Sequence, residues 1–415
     1  MRVEVLNTGT ELLLGSVINT HVRLFAEALF PLGLRIERQV TVPDGGTAIR
    51  DALLETFGRA DVVLITGGLG PTTDDVTREV VAALLGEELI HDVSVMRAIE
   101  VRFARRNLAM SARNARQAQR PRDAIVLVNH HGTAPGLYLA PRPRDGGLTP
   151  HLFLLPGPPR ELKPMFVESA LPILEKVRPP QPALEMRVVR LAGVGESGVE
   201  ELIGEPLLAL GLELGYCARP GEVDVRTIGA PAVLDTAERI ILEKLGAHVI
   251  SHDQRTLEKV VVDLLAAQGA TLAIAESCTG GFLAHRITNV PGASVVFVEG
   301  FVTYANAAKE RALGVDAALL AAHGAVSAEV AQAMAEGAIR QSGADFALAT
   351  TGIAGPGGSS DAKPVGTVFI AVAARSGATE VERHRYPTDR ENFKQHTTQT
   401  ALNLLRRRLL APIAG

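Results

Sequence analysis

The chain alternates short, continuously apolar runs with longer segments whose apolar residues recur every three or four positions. RVEVLNTG, starting at Arg2, and DVVLITGG, starting at Asp61, are runs of the first kind. Glycine-bounded apolar runs of this length predict strands covered on both faces. HVRLFAEALFPLG and TREVVAALLG carry the helical period instead. AIVLVNHHGTAPG and HLFLLPGPP supply two more strands, each opening into a Gly/Pro loop. Repeated β–α order predicts a mainly parallel sheet with helices on both sides.

The pattern breaks at RPPQP, Arg178 to Pro182. Three prolines in five residues forbid helix and stiffen the chain, so this stretch reads as a linker. Beyond it MRVVRLAGV reads as a strand, VEELIGEPLLAL as a helix, the flanks of RPGE as two strands and LDTAERIILEKLG as a helix. From about residue 253 the βα alternation returns. RTLEKVVVDLLAAQG places Leu257, Val260, Val261, Leu264 and Leu265 on one stripe. TLAIA, VVFVEGFVTY, FALATTG and GTVFIAVAA read as strands, and Ser327 and Gly343 bracket a helix. A long helix closes the chain. Its Arg406–Arg407–Arg408 run reads as a solvated end favoured by the macrodipole. The expected class is α/β: two α/β domains with mainly parallel sheets, over 1–172 and 253–415, joined by a small α+β domain over 173–252.

Length supports this division, because 415 residues exceed one ordinary core. A net charge of −4 argues against a general nucleic-acid binder, which needs a basic field. Cys217 and Cys278 are the only cysteines; they frame neither a disulfide scaffold nor a Cys-based zinc site, and fit a reducing cytoplasm. The first residues lack a signal peptide's layout, and no apolar run nears the ~18–20 residues of a membrane span, so no membrane partner is expected.

AESCTGG, residues 275–281, sits where the strand TLAIA runs into a helix. Ligands of open α/β sheets bind off the carboxyl ends of strands. Ser277 there is placed to attack a carbonyl, with the Gly280 and Gly281 amides as oxyanion donors. An ordinary helix cap explains the same letters. Other strand ends add to the first reading. FVTYANAAK contributes Tyr304 and Lys309, TGIAGPGG contributes Thr351 and Gly352, and YPTDREN contributes Arg390. A Ser–Lys pair hydrolyses amides or esters if burial keeps the lysine neutral. Arginine and a glycine loop suit a phosphate. Cys278 is a rival nucleophile, and the physics of the sequence alone does not separate it from Ser277.

AESCTGG, FVTYANAAK, HGAVS, TGIAGPGG and KPVGTV together resemble the C-terminal domain of the CinA family, competence/damage-inducible protein A. The resemblance runs from about residue 255 to the end. It implies a nicotinamide mononucleotide deamidase that needs no cofactor, with Ser277 as nucleophile, Lys309 as its partner and Tyr304 in the catalytic set. Thr279, Gly280, Gly281, Thr351, Gly352 and Arg390 fall on the substrate side. Where the family has a second arginine this chain has Lys394, which keeps the charge and loses the bidentate fork.

ITGGLGPTTDDVTREV is the second dense motif. Gly67, Gly68 and Gly70 form a loop whose amides suit an anion, and Thr72, Asp74 and Asp75 follow at a helix start. Capping explains the aspartates; a divalent metal on a diphosphate explains them too. The stretch from 1 to 172 resembles the family's N-terminal domain, related to molybdopterin-binding domains. That resemblance implies hydrolysis of ADP-ribose to AMP and ribose 5-phosphate with magnesium, manganese or cobalt. Asp44, Asp74 and Asp75 are the metal candidates, and Glu11 lies on the substrate side. The family's DTN reads Asn19, Thr20, His21 here, one carboxylate fewer. The alternative is a nucleotide- or molybdopterin-binding regulatory protein without turnover.

GVGESG, Gly193 to Gly198, matches the dinucleotide fingerprint and contains the G-x-x-G of KH-type RNA-binding modules. The paired strands that follow do not make a βαβ unit. Residues 183–252 carry eleven acidic against six basic side chains, which repels a phosphate backbone. A KH-like connector is expected here. The expected partners are nicotinamide mononucleotide, ADP-ribose and a second copy in a homodimer, with no nucleic acid.

Overall fold

The run VVLIT forms the strand Val62–Thr66, and all five of its residues are buried. Burial on both faces follows from its central place in a sheet covered by helices on either side. In this computed structural model, which describes residues 1–144, 147–180 and 184–411, contacts divide the chain into two compact units, Met1–Leu184 and Glu185–Gly415. Gln181 and Pro182 of the expected linker lie outside the described residues.

The first unit holds a six-stranded sheet in the order Arg35–Val42, Arg2–Thr8, Val62–Thr66, His151–Leu155, Gly136–Leu139, Ile125–Leu127. The first four strands are mutually parallel and the last two antiparallel. The two-residue period assigns its faces. Val3, Val5, Val62 and Leu64 pack with Phe25, Phe153 and Phe166. Leu6, Val63 and Ile65 pack with Ile49, Leu53 and Val81 on the other side. The strand Gly136–Leu139 was not expected. The eight residues between it and Leu127 are too few for a parallel crossover, so the chain returns antiparallel.

The second unit holds two sheets. The smaller is antiparallel, in the order Glu213–Arg219, Glu222–Gly229, Glu185–Ala192, Val249–Ser251. The helices Glu196–Leu208 and Pro231–Leu245 share one core with it, through Val199, Ile203, Leu234 and Ile241. The larger sheet runs Phe297–Val302, Leu272–Glu276, Phe346–Gly352, Thr367–Ala374, Glu380–Arg385. Its first three strands are parallel, so their carboxyl ends meet at one edge. Its last two are antiparallel. The expectation of a mainly parallel sheet is thus corrected to a mixed one here, because no helix separates Gly352 from Thr367.

One expectation about the terminal helix, Arg390–Leu410, is wrong. Arg406 is only 3% exposed and is not a solvated residue. Its guanidinium donates to the carbonyls of Ala247 and Val249 at 2.9 and 2.8 Å, and to Asn403 Oδ1 at 3.0 Å. The side chain thus supplies donors to two backbone carbonyls at the end of the small domain. Among the described residues no helix is long and apolar enough to cross a membrane.

Replacing Arg406 by Met keeps the stem and removes these bonds. Unfolding in urea is expected to show a loss of about 1–3 kcal/mol in the second unit; an unchanged midpoint would contradict the role given to this side chain.

Candidate active site

Ser277 follows the buried strand Leu272–Glu276, and its amide donates to Thr350 O on the neighbouring strand at 2.9 Å. The neighbouring strand, Phe297–Val302, is followed by Thr303, whose amide donates to Glu276 O at 2.8 Å. These two links fix the relation between two strand ends. Lys309, on the helix Asn306–Leu313, reaches back into the gap and is fully buried. Its Nζ lies 3.1 Å from Ser277 Oγ, 2.8 Å from Thr303 O and 3.4 Å from Tyr304 O.

Burial lowers the Lys309 pKa, because removing water penalises the ammonium. As an ammonium Nζ donates to all three oxygens; once neutral, its two N–H groups keep the carbonyls, which can only accept, and its lone pair is left facing the Ser277 hydroxyl. Cys278 is buried beside it, and burial pushes its thiol up to about 12. A thiol held this high is not the stronger nucleophile near neutrality.

Glu276 was not singled out from the sequence. Its buried carboxylate accepts the amides of Gly281, Leu283 and Ala284 at 3.0, 3.0 and 2.9 Å. It therefore caps the helix Phe282–Thr288 and ties it to the strand that carries Ser277. This overturns the expectation that Gly280 and Gly281 donate to an oxyanion. The Gly281 amide is engaged by Glu276, and the Gly280 amide donates to Ser277 O at 3.2 Å. Both glycines are needed for the turn itself, with φ of +61° and +93°.

Three other predicted residues are also structural. Thr279 is buried and shares a 2.7 Å hydroxyl contact with Thr350. Thr351 is buried and donates to Ala325 O at 2.6 Å. A Cβ on Gly352 would stand 2.7 Å from Thr367 O, so this glycine permits strand pairing. Arg390 donates to the Tyr304 hydroxyl at 2.6 Å and to Gly355 O at 3.1 Å, joining three loops at the mouth of the site. Tyr304 meets Lys309 through its carbonyl; its ring is exposed and turned to Arg390. Lys394 Nζ lies over the Phe282 ring, 5.5 Å from its centre. Phe282, Arg390 and Lys394 line one recess of about 430 Å³.

In the first unit, Gly67, Gly68, Gly70, Glu11, Asp44, Asp74 and Asp75 line one cleft of about 390 Å³. Gly67 is required, since a Cβ there would lie 2.6 Å from Thr8 O. Its amide, however, donates to Leu155 O at 3.0 Å and is not free for an anion. Thr72 donates to Asp75 through both its amide, at 2.9 Å, and its hydroxyl, so it braces the loop. Hydrogen bonding from Thr72 also lowers the Asp74 pKa. Asp44 accepts the Thr10 amide at 2.8 Å. Glu161, unpredicted, joins the same wall and accepts from Asn129 at 2.8 Å. Among the described residues no three acidic, His or Cys side chains converge into a ready-made metal cage. The hard carboxylate oxygens fit magnesium or manganese held jointly with substrate phosphates, and not a cage-bound ion. At the altered triplet, burial lowers the pKa of His21, whose Nδ1 lies 3.3 Å from Thr66 Oγ1.

The fold and these two clefts define a two-part α/β protein with a molybdopterin-binding-like first part. Residues 4–176 match the family model described as probable molybdopterin binding domain, and 254–409 match the CinA C-terminal domain. A CinA-like protein of Akkermansia muciniphila is 48% identical over 97% of this chain and 96% of its own length. A putative competence-damage inducible protein of Moorella thermoacetica is 44% identical over 99% of both. The crystal structure of competence/damage inducible protein CihA from Agrobacterium tumefaciens, 44% identical, covers 36% of this chain and 91% of that one, with a TM-score of 0.36. The chain belongs to the CinA family.

The two thiols are expected to separate on labelling. Exposed Cys217 should react with a thiol reagent in the native protein and buried Cys278 only after unfolding. Rapid native labelling of both would contradict the burial assigned to Cys278.

Proposed function

We propose that the chain is a bifunctional hydrolase of pyridine nucleotides, whose second unit deamidates nicotinamide mononucleotide at Ser277. The observation that carries this reading is the contact between a fully buried lysine amine and the Ser277 hydroxyl at 3.1 Å. Neutral Lys309 takes the hydroxyl proton as Ser277 Oγ attacks the carboxamide carbon. The tetrahedral adduct collapses, the C–N bond breaks, and the proton on Lys309 passes to the leaving ammonia. Water, deprotonated by Lys309, then attacks the ester carbon; the C–Oγ bond breaks, the proton passes from Lys309 to Ser277 Oγ, and nicotinic acid mononucleotide leaves. The Thr279 amide, which donates to no backbone carbonyl among the described residues outside helices and strands, is the remaining donor proposed for the oxyanion. Arg390 supplies the charge and Gly355 the loop on the phosphate side.

In the first unit the same proposal assigns hydrolysis of ADP-ribose to AMP and ribose 5-phosphate. Asp44, Asp74 and Asp75 would hold a divalent ion together with the diphosphate, and that ion neutralises charge on the phosphate oxygens. The glycine loop lets the backbone approach, while Glu11 and Glu161 orient polar groups of the ligand. Binding without turnover is the second reading for this cleft, motivated by Asn19, which stands where the family motif has a carboxylate.

Ammonia release from nicotinamide mononucleotide tests the first assignment. Ser277→Ala and Lys309→Met are each expected to lower it by about 10³-fold or more, with Cys278→Ala near wild type. Full activity in Ser277→Ala, or none in the wild type, would overturn it. AMP formation from ADP-ribose with manganese, lost with a chelator and reduced in Asp75→Asn, tests the second; unchanged Asp75→Asn turnover would contradict it.

A further inference from the structure

The GVGESG motif has no part in either reaction, yet it borders a cleft of about 510 Å³ within the second unit. One wall is aromatic. His384, Tyr386 and His396 stack as a column, with ring centres 5.9 and 5.0 Å apart and interplanar angles of 8° and 16°. The Tyr386 hydroxyl is fixed by Thr400 Oγ1 at 2.7 Å, so the column is held in place. Of the glycines on the lining, Gly195 opens onto free space, while a Cβ on Gly221 would stand 2.8 Å from Gln399 Cγ and one on Gly193 3.2 Å from Asn403 Nδ2, so the cleft narrows towards those two.

The charges around this cleft are sorted. Arg219 is paired with Asp224 and Glu222. Glu222 also accepts from Gln399 at 2.7 Å, and Glu382 meets His384 at 2.8 Å. Two lining charges have no ion-pair partner among the described residues, Arg407 and Glu196. The cleft thus combines an aromatic surface, one uncommitted cation and one uncommitted carboxylate. A nucleoside monophosphate carries the three complements. A planar base packs on aromatic rings, a phosphate pairs with a guanidinium, and ribose hydroxyls donate to a carboxylate. A longer nucleic acid is disfavoured by the acidic small domain.

We infer that this cleft is a second nucleotide site, taking one nucleoside monophosphate with its base on the Tyr386 column, its phosphate on Arg407 and its ribose on Glu196. Purine and pyridine nucleotides share this chemistry, and titration distinguishes them.

The test is calorimetric titration of the full-length protein, in chelator, with AMP and separately with nicotinic acid mononucleotide. At least one is expected to bind, with the affinity lowered about tenfold or more in Arg407→Glu and less in Glu196→Gln. Both side chains are exposed, so these variants keep the fold. Asp75→Asn and Ser277→Ala are expected to leave this binding unchanged. Equal affinity in Arg407→Glu and wild type would overturn the site, as would loss of the binding in Asp75→Asn or Ser277→Ala. Absence of binding by both nucleotides at millimolar concentration would also overturn it. The readout uses no turnover, so it succeeds or fails separately from the deamidase reading.

Discussion

The second unit depends on a costly arrangement: an amine buried without a carboxylate bonded to it. Lys309 has lost its water and has gained only carbonyl oxygens and one hydroxyl. An ammonium in that place would carry an uncompensated charge, so burial favours the neutral form. The surrounding structure holds the amine there. Thr303 is tied to Glu276, Glu276 to the next helix, and Ser277 to Thr350. Each bond fixes a strand end, and the parallel order of three strands brings those ends to one edge.

The same logic separates structural from reactive residues. The Thr279 and Thr351 hydroxyls and the Gly280 and Gly281 amides hold the shape of the strand ends and are engaged within the protein. Ser277 and Lys309 are left facing one another. The terminal helix spans from Arg390, which holds Tyr304 and Gly355, to Arg406, which holds the small domain's carbonyls. One rigid element therefore borders both the Tyr304 side of the Ser277 site and the cleft beside the GVGESG turn.

Much of this was legible in the sequence, and the failures have physical reasons. Continuous apolar runs marked the central strands, because burial on both faces leaves no alternation. Motif order placed Ser277 and Lys309 at strand ends, thirty-two residues apart and in contact. The strand Gly136–Leu139 was missed and the direction of Thr367–Ala374 misread, because direction depends on what the connection can span and not on the strand's own letters. Arg406 was misread because a run of arginines looks solvated until the carbonyls it serves, far away in sequence, are known. Glu276 and Glu161 were missed because a buried carboxylate is explained by the amides that converge on it, and periodicity carries no such information.

The claim on which the account rests is that Lys309 is neutral where the reaction occurs. Its titration can be followed directly by 15N resonance of Nζ in the intact protein, assigned with Lys309→Met. The account predicts a Lys309 pKa well below that of an ordinary lysine, with the amine uncharged under assay conditions. A Lys309 that titrates at or above the usual lysine value would contradict it.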